Sequence, residues 1–176
     1  MNLKKELIIN LIKIFISIIV VMLPIFNITN LKIIFIVMFA LYGIINIVQY
    51  MIFKDKEQLI LLLNSIIVIL LSILLDINNR ERFLALVLIT WIIINSLTKL
   101  HKIDLYQDKK NNLWKINALT LGIYDLAALL VIVSLAHPNE VKIILIGLLF
   151  FIESTLEIII TTMKSLIKQK WVEVKW

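Results

Sequence analysis

Cysteine is absent from this chain of 176 residues, and proline occurs twice, histidine twice and glycine three times. Without a thiol there is no disulfide framework, no cysteine nucleophile and no Cys-ligated zinc or iron–sulfur centre. The two histidines, His101 and His137, stand far apart and form no HExxH zinc motif. No glycine-rich phosphate loop occurs either. These absences point away from an enzyme and leave no metal or cofactor to be expected. Long polar stretches are missing too: 61% of the residues are hydrophobic, and the mean hydropathy is +1.01.

What fills the chain is six apolar runs, at 7–23, 33–53, 59–75, 83–99, 116–136 and 142–163. At 1.5 Å per residue, roughly 20 residues cross about 30 Å of hydrocarbon. The shortest run, 83–99, reaches full span if Lys99 snorkels to the interface. A water-soluble helix needs a polar face, which these runs lack, and they also lack the strict alternation of a barrel strand. Only helices then satisfy the backbone in lipid. The sequence therefore predicts an all-α polytopic membrane protein with six transmembrane helices, a single integral membrane domain over 1–176, and a tail at 164–176.

Lysine and arginine concentrate in every second gap. With a cytoplasmic N-terminus, fourteen of the eighteen basic residues face inward, and only Lys32, Arg80, Arg82 and Lys142 face outward. The positive-inside rule then places both termini in the cytoplasm. Lys4 and Lys5 ahead of an apolar stretch also resemble a signal peptide. No small-residue cleavage site follows, so an uncleaved signal anchor is the expectation. The net charge of +6 is accounted for by topology and by anionic lipid headgroups, with no nucleic-acid partner implied.

The second, fourth and sixth runs each carry an aromatic residue followed four positions later by a small polar one: Tyr42 and Asn46, Trp91 and Asn95, Phe151 and Thr155. Short turns at 24–32, 76–82 and 137–141 join each odd run to the next even one. This spacing suggests three tandem helical hairpins, each of two spans. In this respect the chain resembles the HdeD family of short-repeat bacterial membrane proteins. The residues that carry the likeness are Tyr42-Gly43-Ile44-Ile45, then Trp114 with Gly122 eight residues on, and His137-Pro138 at the third turn. The family is usually richer in glycine and alanine than this Ile- and Leu-dominated chain. The resemblance implies a multi-pass protein of the bacterial cell membrane, non-enzymatic, with a role in acid or envelope stress.

Chemistry is sought among polar groups inside the bilayer, where they are costly and mark a pathway or a specific pair. Asp125 in the fifth run and Glu153 and Glu157 in the sixth are the candidate proton or ion site. Glu153 and Glu157 share one helix face, and Asp125 lies at a similar depth to Glu153. Close carboxylates in low dielectric do not both ionise easily, so one reading is a shared or relayed proton. The other is helix pairing, with Lys13 as the candidate ion-pair partner of Glu157 at matching depth. A small proton-coupled transporter or channel is the alternative function. Gly43, Asn46, Asn95, Gly122 and Thr155 are candidate helix-packing residues, and the other buried amides and hydroxyls are expected to bond across helices. Trp114 reads as an interfacial anchor and the Lys- and Trp-bearing tail as a segment along the inner leaflet. His137, beside Pro138 and Glu140, is either a sensor of external acid or an incidental loop residue. A transport pathway in so small a chain implies a homo-oligomer.

Overall fold

The computed structural model describes residues 3–53, 59–77, 81–108 and 112–173. Six α-helices account for nearly all of them: α1 (Leu3–Met22), α2 (Leu31–Phe53), α3 (Leu59–Ile77), α4 (Glu81–Asp108), α5 (Leu113–Ser134) and α6 (Asn139–Glu173). Five are long and apolar enough to cross a membrane, and α3 is apolar over Leu62–Leu75. The distribution of polarity is inverted relative to a water-soluble protein. Phe15, Ile18, Leu70, Leu97, Leu126 and Val133 are exposed on the outside, whereas lysines, glutamates and asparagines are buried within. Such an apolar exterior is stable only against lipid. This is a multi-pass membrane protein.

Helix ends follow local chemistry. α1 stops where Pro24 removes an N–H, passes into a 3-10 turn over Leu23–Phe26, and reverses at Asn27, the one non-glycine residue with positive φ (59°) among those described. The Asn27 N–H then bonds the Pro24 carbonyl at 3.0 Å, and Ile28 N–H bonds that of Leu23 at 3.1 Å. Asn30 caps α2 by accepting the Ile33 N–H at 3.2 Å. Between α5 and α6, His137 N–H bonds the Ser134 carbonyl at 2.8 Å, and Pro138 offers its carbonyl to Lys142 N–H.

Two helices outrun the sequence expectation. α4 continues nine residues past Lys99 to Asp108, through what reads as the start of a polar loop. Lys99, Ile103 and Tyr106 recur at four- and three-residue spacing and are all buried, which gives this extension an inward face. Lys99 therefore does not snorkel; it points into the bundle. α6 likewise runs unbroken to Glu173, and Lys164 on it lies over the Tyr106 ring at 5.3 Å. The gap residues Lys54, Lys56, Lys109 and Lys110, positions 78–80 of the second short turn, and Lys175 and Trp176 of the tail lie outside the described residues.

The helices form a ring. α6 packs extensively against α1 and α5, α5 against α4, and α2 against α3. The junction of α3 with α4 is thinner, and α1 meets α2 only lightly. The bundle thus consists of a four-helix group (α1, α6, α5, α4) and a two-helix group (α2, α3). The three even helices meet at the centre. Trp91 stacks on Phe150 at 4.6 Å, Tyr42 sets its edge to both, and Phe39 and Phe35 extend the cluster. The sixth helix contributes Phe150 here and not Phe151, which is only partly buried.

Two glycines are set by close approach. A Cβ on Gly147 would stand 2.7 Å from Val21 Cγ2 and 3.1 Å from its backbone nitrogen; one on Gly43 would stand 2.6 Å from Ile69 Cγ1 and 3.1 Å from the Ser65 carbonyl. Gly122 meets nothing within 4 Å and faces outward, so it packs against no other helix of the chain. Gly147→Ala and Gly43→Ala should each destabilise by about 1–3 kcal/mol through overpacking. Gly122→Ala should be neutral or stabilising by up to about 1 kcal/mol. Tryptophan-fluorescence thermal unfolding in detergent separates the two outcomes.

Candidate functional site

The buried polar side chains are gathered at one end of the bundle, the end where α1 begins and α6 finishes. On α1 they are Glu6, Asn10, Lys13 and Ser17; on α2, Asn46 and Gln49; on α3, Asn64 and Ser65; on α4, Asn95 and Lys99; on α6, Glu153, Ser154 and Thr161. Towards the other end the interior is apolar, apart from Ser72 and Ser134, whose hydroxyls return to carbonyls of their own helices. The aromatic cluster forms the floor between the two regions.

Glu153 is the centre of the polar region. It is 4% exposed, and its Oε1 accepts the Tyr42 hydroxyl at 2.8 Å while Lys99 Nζ stands 4.0 Å away. Its Oε2 is buried without a hydrogen-bond partner. One turn along α6, Glu157 lies 3.7 Å from Lys99 Nζ and 3.3 Å from Lys102 Nζ. Lys99 also stands over the Tyr124 ring at 5.1 Å. α4 therefore presents two lysines to the two glutamates of α6, a ladder that α5 and α2 flank with tyrosines.

Lys13 sits over the face of Tyr42. Its Nζ donates to Gln49 Oε1 at 3.2 Å and lies 5.2 Å from the Tyr42 ring centre. It makes no contact with Glu157 or any other described carboxylate within 4 Å, where Lys99 and Lys102 stand instead, and its interaction with Glu157 and Glu153 is a longer-range one. Asp125 is also placed apart from the glutamates. Tyr124 takes the inward position on α5, and one residue further the helix has turned about 100°, so Asp125 accepts from Ser96 on α4 at 2.6 Å. The expected face-to-face pair of Asp125 and Glu153 is thus replaced by two separate contacts on α4.

The amides behave unequally. Asn64 donates to Asn95 at 2.6 Å, and Asn95 donates to the Tyr124 hydroxyl at 3.3 Å, so this chain does cross helices. Asn46 and Asn10 are buried with every amide atom unpartnered. Thr155, Ser154, Asn117 and Thr98 bond carbonyls of their own helices and join nothing. At the terminal end, Thr161 donates to the buried Glu6 carboxylate at 3.2 Å and ties α6 to α1.

A cavity of about 10 Å³ lies where α1, α2 and α6 meet, lined by Lys13, Ile16, Ser17, Met38, Tyr42, Ile45, Phe150 and Ser154. That is about the room one water needs. No group of three or more His, Asp or Glu able to hold a metal occurs among the described residues.

Reading by composition missed Glu6, Asn10, Gln49, Tyr124 and the inward role of Lys99 and Lys102. The signal was present: Glu6, Asn10, Lys13 and Ser17 fall at steps of four, three and four, and Asn95, Lys99, Lys102 and Tyr106 at four, three and four. No family model, curated protein or solved structure matches this chain.

The two pairs that bind α4 to α6 differ in burial, which gives a test. The Lys99 and Glu153 side chains are 7% and 5% exposed, those of Lys102 and Glu157 20% and 23%. Lys99→Met should cost about 3 kcal/mol by stranding a buried carboxylate, whereas Lys102→Met should cost under about 1 kcal/mol. Equal unfolding midpoints for the two variants would show that Glu153 does not depend on Lys99.

Proposed function

We propose that this chain is a small, non-enzymatic membrane carrier that couples a proton to solute movement through the Glu153 cluster. One observation carries the reading. Three side-chain hydrogen bonds join the two-helix group to the rest at this end: Tyr42 to Glu153, Lys13 to Gln49 and Asn64 to Asn95, and all are polar and lie within the cluster. The helices approach one another only lightly along that junction, which is otherwise bridged by the aromatic cluster. A proton on Glu153 would convert the charge-assisted bond from Tyr42 into a weaker neutral one and reduce its attraction to Lys99, loosening α2 and α3 from α6 and α4. The aromatic floor meanwhile separates the polar end from the far side. A gate coupled to protonation needs these two elements.

In this reading both termini are cytoplasmic, following the lysine bias, and the polar end opens inward in a bacterial cell membrane. Lysines near the ends of α4 and α6 engage anionic headgroups, and a homo-oligomer is compatible with the exposed α5 face around Gly122. A second reading keeps the HdeD-like stress protein, acting by interaction and not by turnover. In its favour is the meeting of an aromatic side chain from each even helix, Tyr42, Trp91 and Phe150, the last one residue from the Phe151 of the expected repeat. The absence of cysteine makes topology simple to test. A single cysteine at His137 should react with an impermeant maleimide on intact cells, and one at Gln107 only after permeabilisation; the reverse pattern would invert the orientation.

Function is tested by proton flux in proteoliposomes under an imposed pH gradient and membrane potential. Native protein should carry protons, Glu153→Gln should lower the flux at least tenfold, Tyr42→Phe should reduce it, and Asp125→Asn should change it less than twofold. Absence of flux in folded native protein would remove the carrier and leave the second reading.

A further inference from the structure

Among the described residues, three lysines, Lys13, Lys99 and Lys102, surround the two glutamates Glu153 and Glu157. Lys99 and Lys102 hold the direct contacts, whereas Lys13, 6% exposed, bonds the neutral Gln49 oxygen, lies over the face of Tyr42 and interacts with Glu157 and Glu153 only from beyond 4 Å. Such an excess of positive charge is costly in a membrane interior unless something negative reaches it. An ammonium carries three donors, and Gln49 uses one of them.

The cavity lies at that point, with Lys13 and the hydroxyl-bearing Ser17, Tyr42 and Ser154 on its wall. Both junctions of α2 beside it, with α1 and with α6, are lightly packed. The unpartnered amides of Asn10 and Asn46 stand one turn from Lys13 and from Gln49 along their own helices. The hydroxyls of Ser17, Tyr42 and Ser154 already donate to the Lys13 carbonyl, Glu153 and the Phe150 carbonyl, so the Lys13 ammonium is the donor the wall offers. An ammonium among apolar Ile16, Met38, Ile45 and Phe150 suits a small, weakly hydrated anion, and the wall offers a cation no carboxylate.

We propose that Lys13 is an anion site: the cavity between α1, α2 and α6 takes a halide-sized monovalent anion, held by the Lys13 ammonium. This rests on the carrier reading and names its cargo. Tyr42 joins the anion and the proton sites, its ring face towards Lys13 and its hydroxyl bonded to Glu153. The charged and titratable groups around that carboxylate are Tyr42 on α2, Lys99 on α4, Tyr124 on α5, Lys13 on α1 and Glu157 on α6 itself. A proton added to Glu153 leaves the cluster more positive, which favours the anion; the two would therefore load together.

The test reads binding with no gradient present. Purified full-length protein in nanodiscs is heated while chloride replaces gluconate at constant pH, sodium concentration and ionic strength, and unfolding is followed by tryptophan fluorescence. The native midpoint should rise saturably with chloride, and exchanging sodium for potassium should leave it unmoved. Lys13→Arg should retain the response and Lys13→Gln should abolish it. Ser154→Val, which keeps the charge and fills the cavity, should weaken apparent affinity at least tenfold. A midpoint indifferent to chloride in the native protein, or an undiminished response in Lys13→Gln and Ser154→Val, would overturn the site. Saturable binding by a protein that carries no protons would retain the anion site and dismiss the carrier.

Discussion

The hydrogen bond from Tyr42 to Glu153 is the contact on which the arrangement of the bundle depends. A carboxylate in the interior of a membrane protein must be given donors by other helices, because its own backbone has none to spare. Glu153 draws them from α2 through Tyr42 and from α4 through Lys99, helices that belong to the two different packed groups. The α2 and α3 pair is thereby tied to the rest by a polar contact as well as by ring packing. The aromatic cluster reinforces it, since the Tyr42 ring that delivers the hydroxyl also packs against Trp91 and Phe150.

That dependence explains why polarity is confined to one end. A charged group anywhere along the bundle would need partners at its own depth. Here α1, α2, α3, α4 and α6 all present their buried amides and charges at the terminal end, so the cost is met collectively. At the other end no ionisable side chain is buried among the described residues, and Phe35, Phe39, Val87, Ile143 and Ile146 pack as in an ordinary core. The result is a bundle with one wet-chemistry end and one sealed end. The close approaches at Gly43 and Gly147 belong with the tight pairs α2 with α3 and α1 with α6, and none of the three glycines lies on the thin α1 and α2 junction.

The helices were legible because hydropathy alone identifies them: each expected run falls within an observed helix or a few residues of one. Where the reading failed, it had given a residue a single meaning. Lys99 and Lys102 were counted as charges that set topology, which hid their place in the four-and-three spacing of the α4 inner face. The end of the fourth run was put at the first lysine, yet Ile103 and Tyr106 continue that face and the helix goes with them. Asp125 was matched to Glu153 by depth, and depth says nothing of rotation. A single residue separates the inward Tyr124 from the α4-facing Asp125. Hydropathy thus carries the axial coordinate of a membrane helix, and the azimuth is recovered only from the spacing of its polar residues.

The same azimuthal argument bears on why the cluster exists. Replacing a buried ion pair by well-packed apolar residues is commonly neutral or stabilising, so two lysines against two glutamates are a poor device for holding α4 to α6 when leucines on that face would suffice. The cluster is poorer still as glue because it includes a third lysine with no carboxylate within 4 Å, two asparagines with no partner and one glutamate oxygen with none. Pairing for stability should minimise such orphans, and this interior collects them within a few turns of one another. Their concentration beside a thin helix junction, on the polar side of an aromatic floor, is the arrangement expected where charge must arrive and depart. Stability in this protein is accordingly assigned to the glycine approaches and the apolar end, and exchange at the polar end is what the proposed carrier would add.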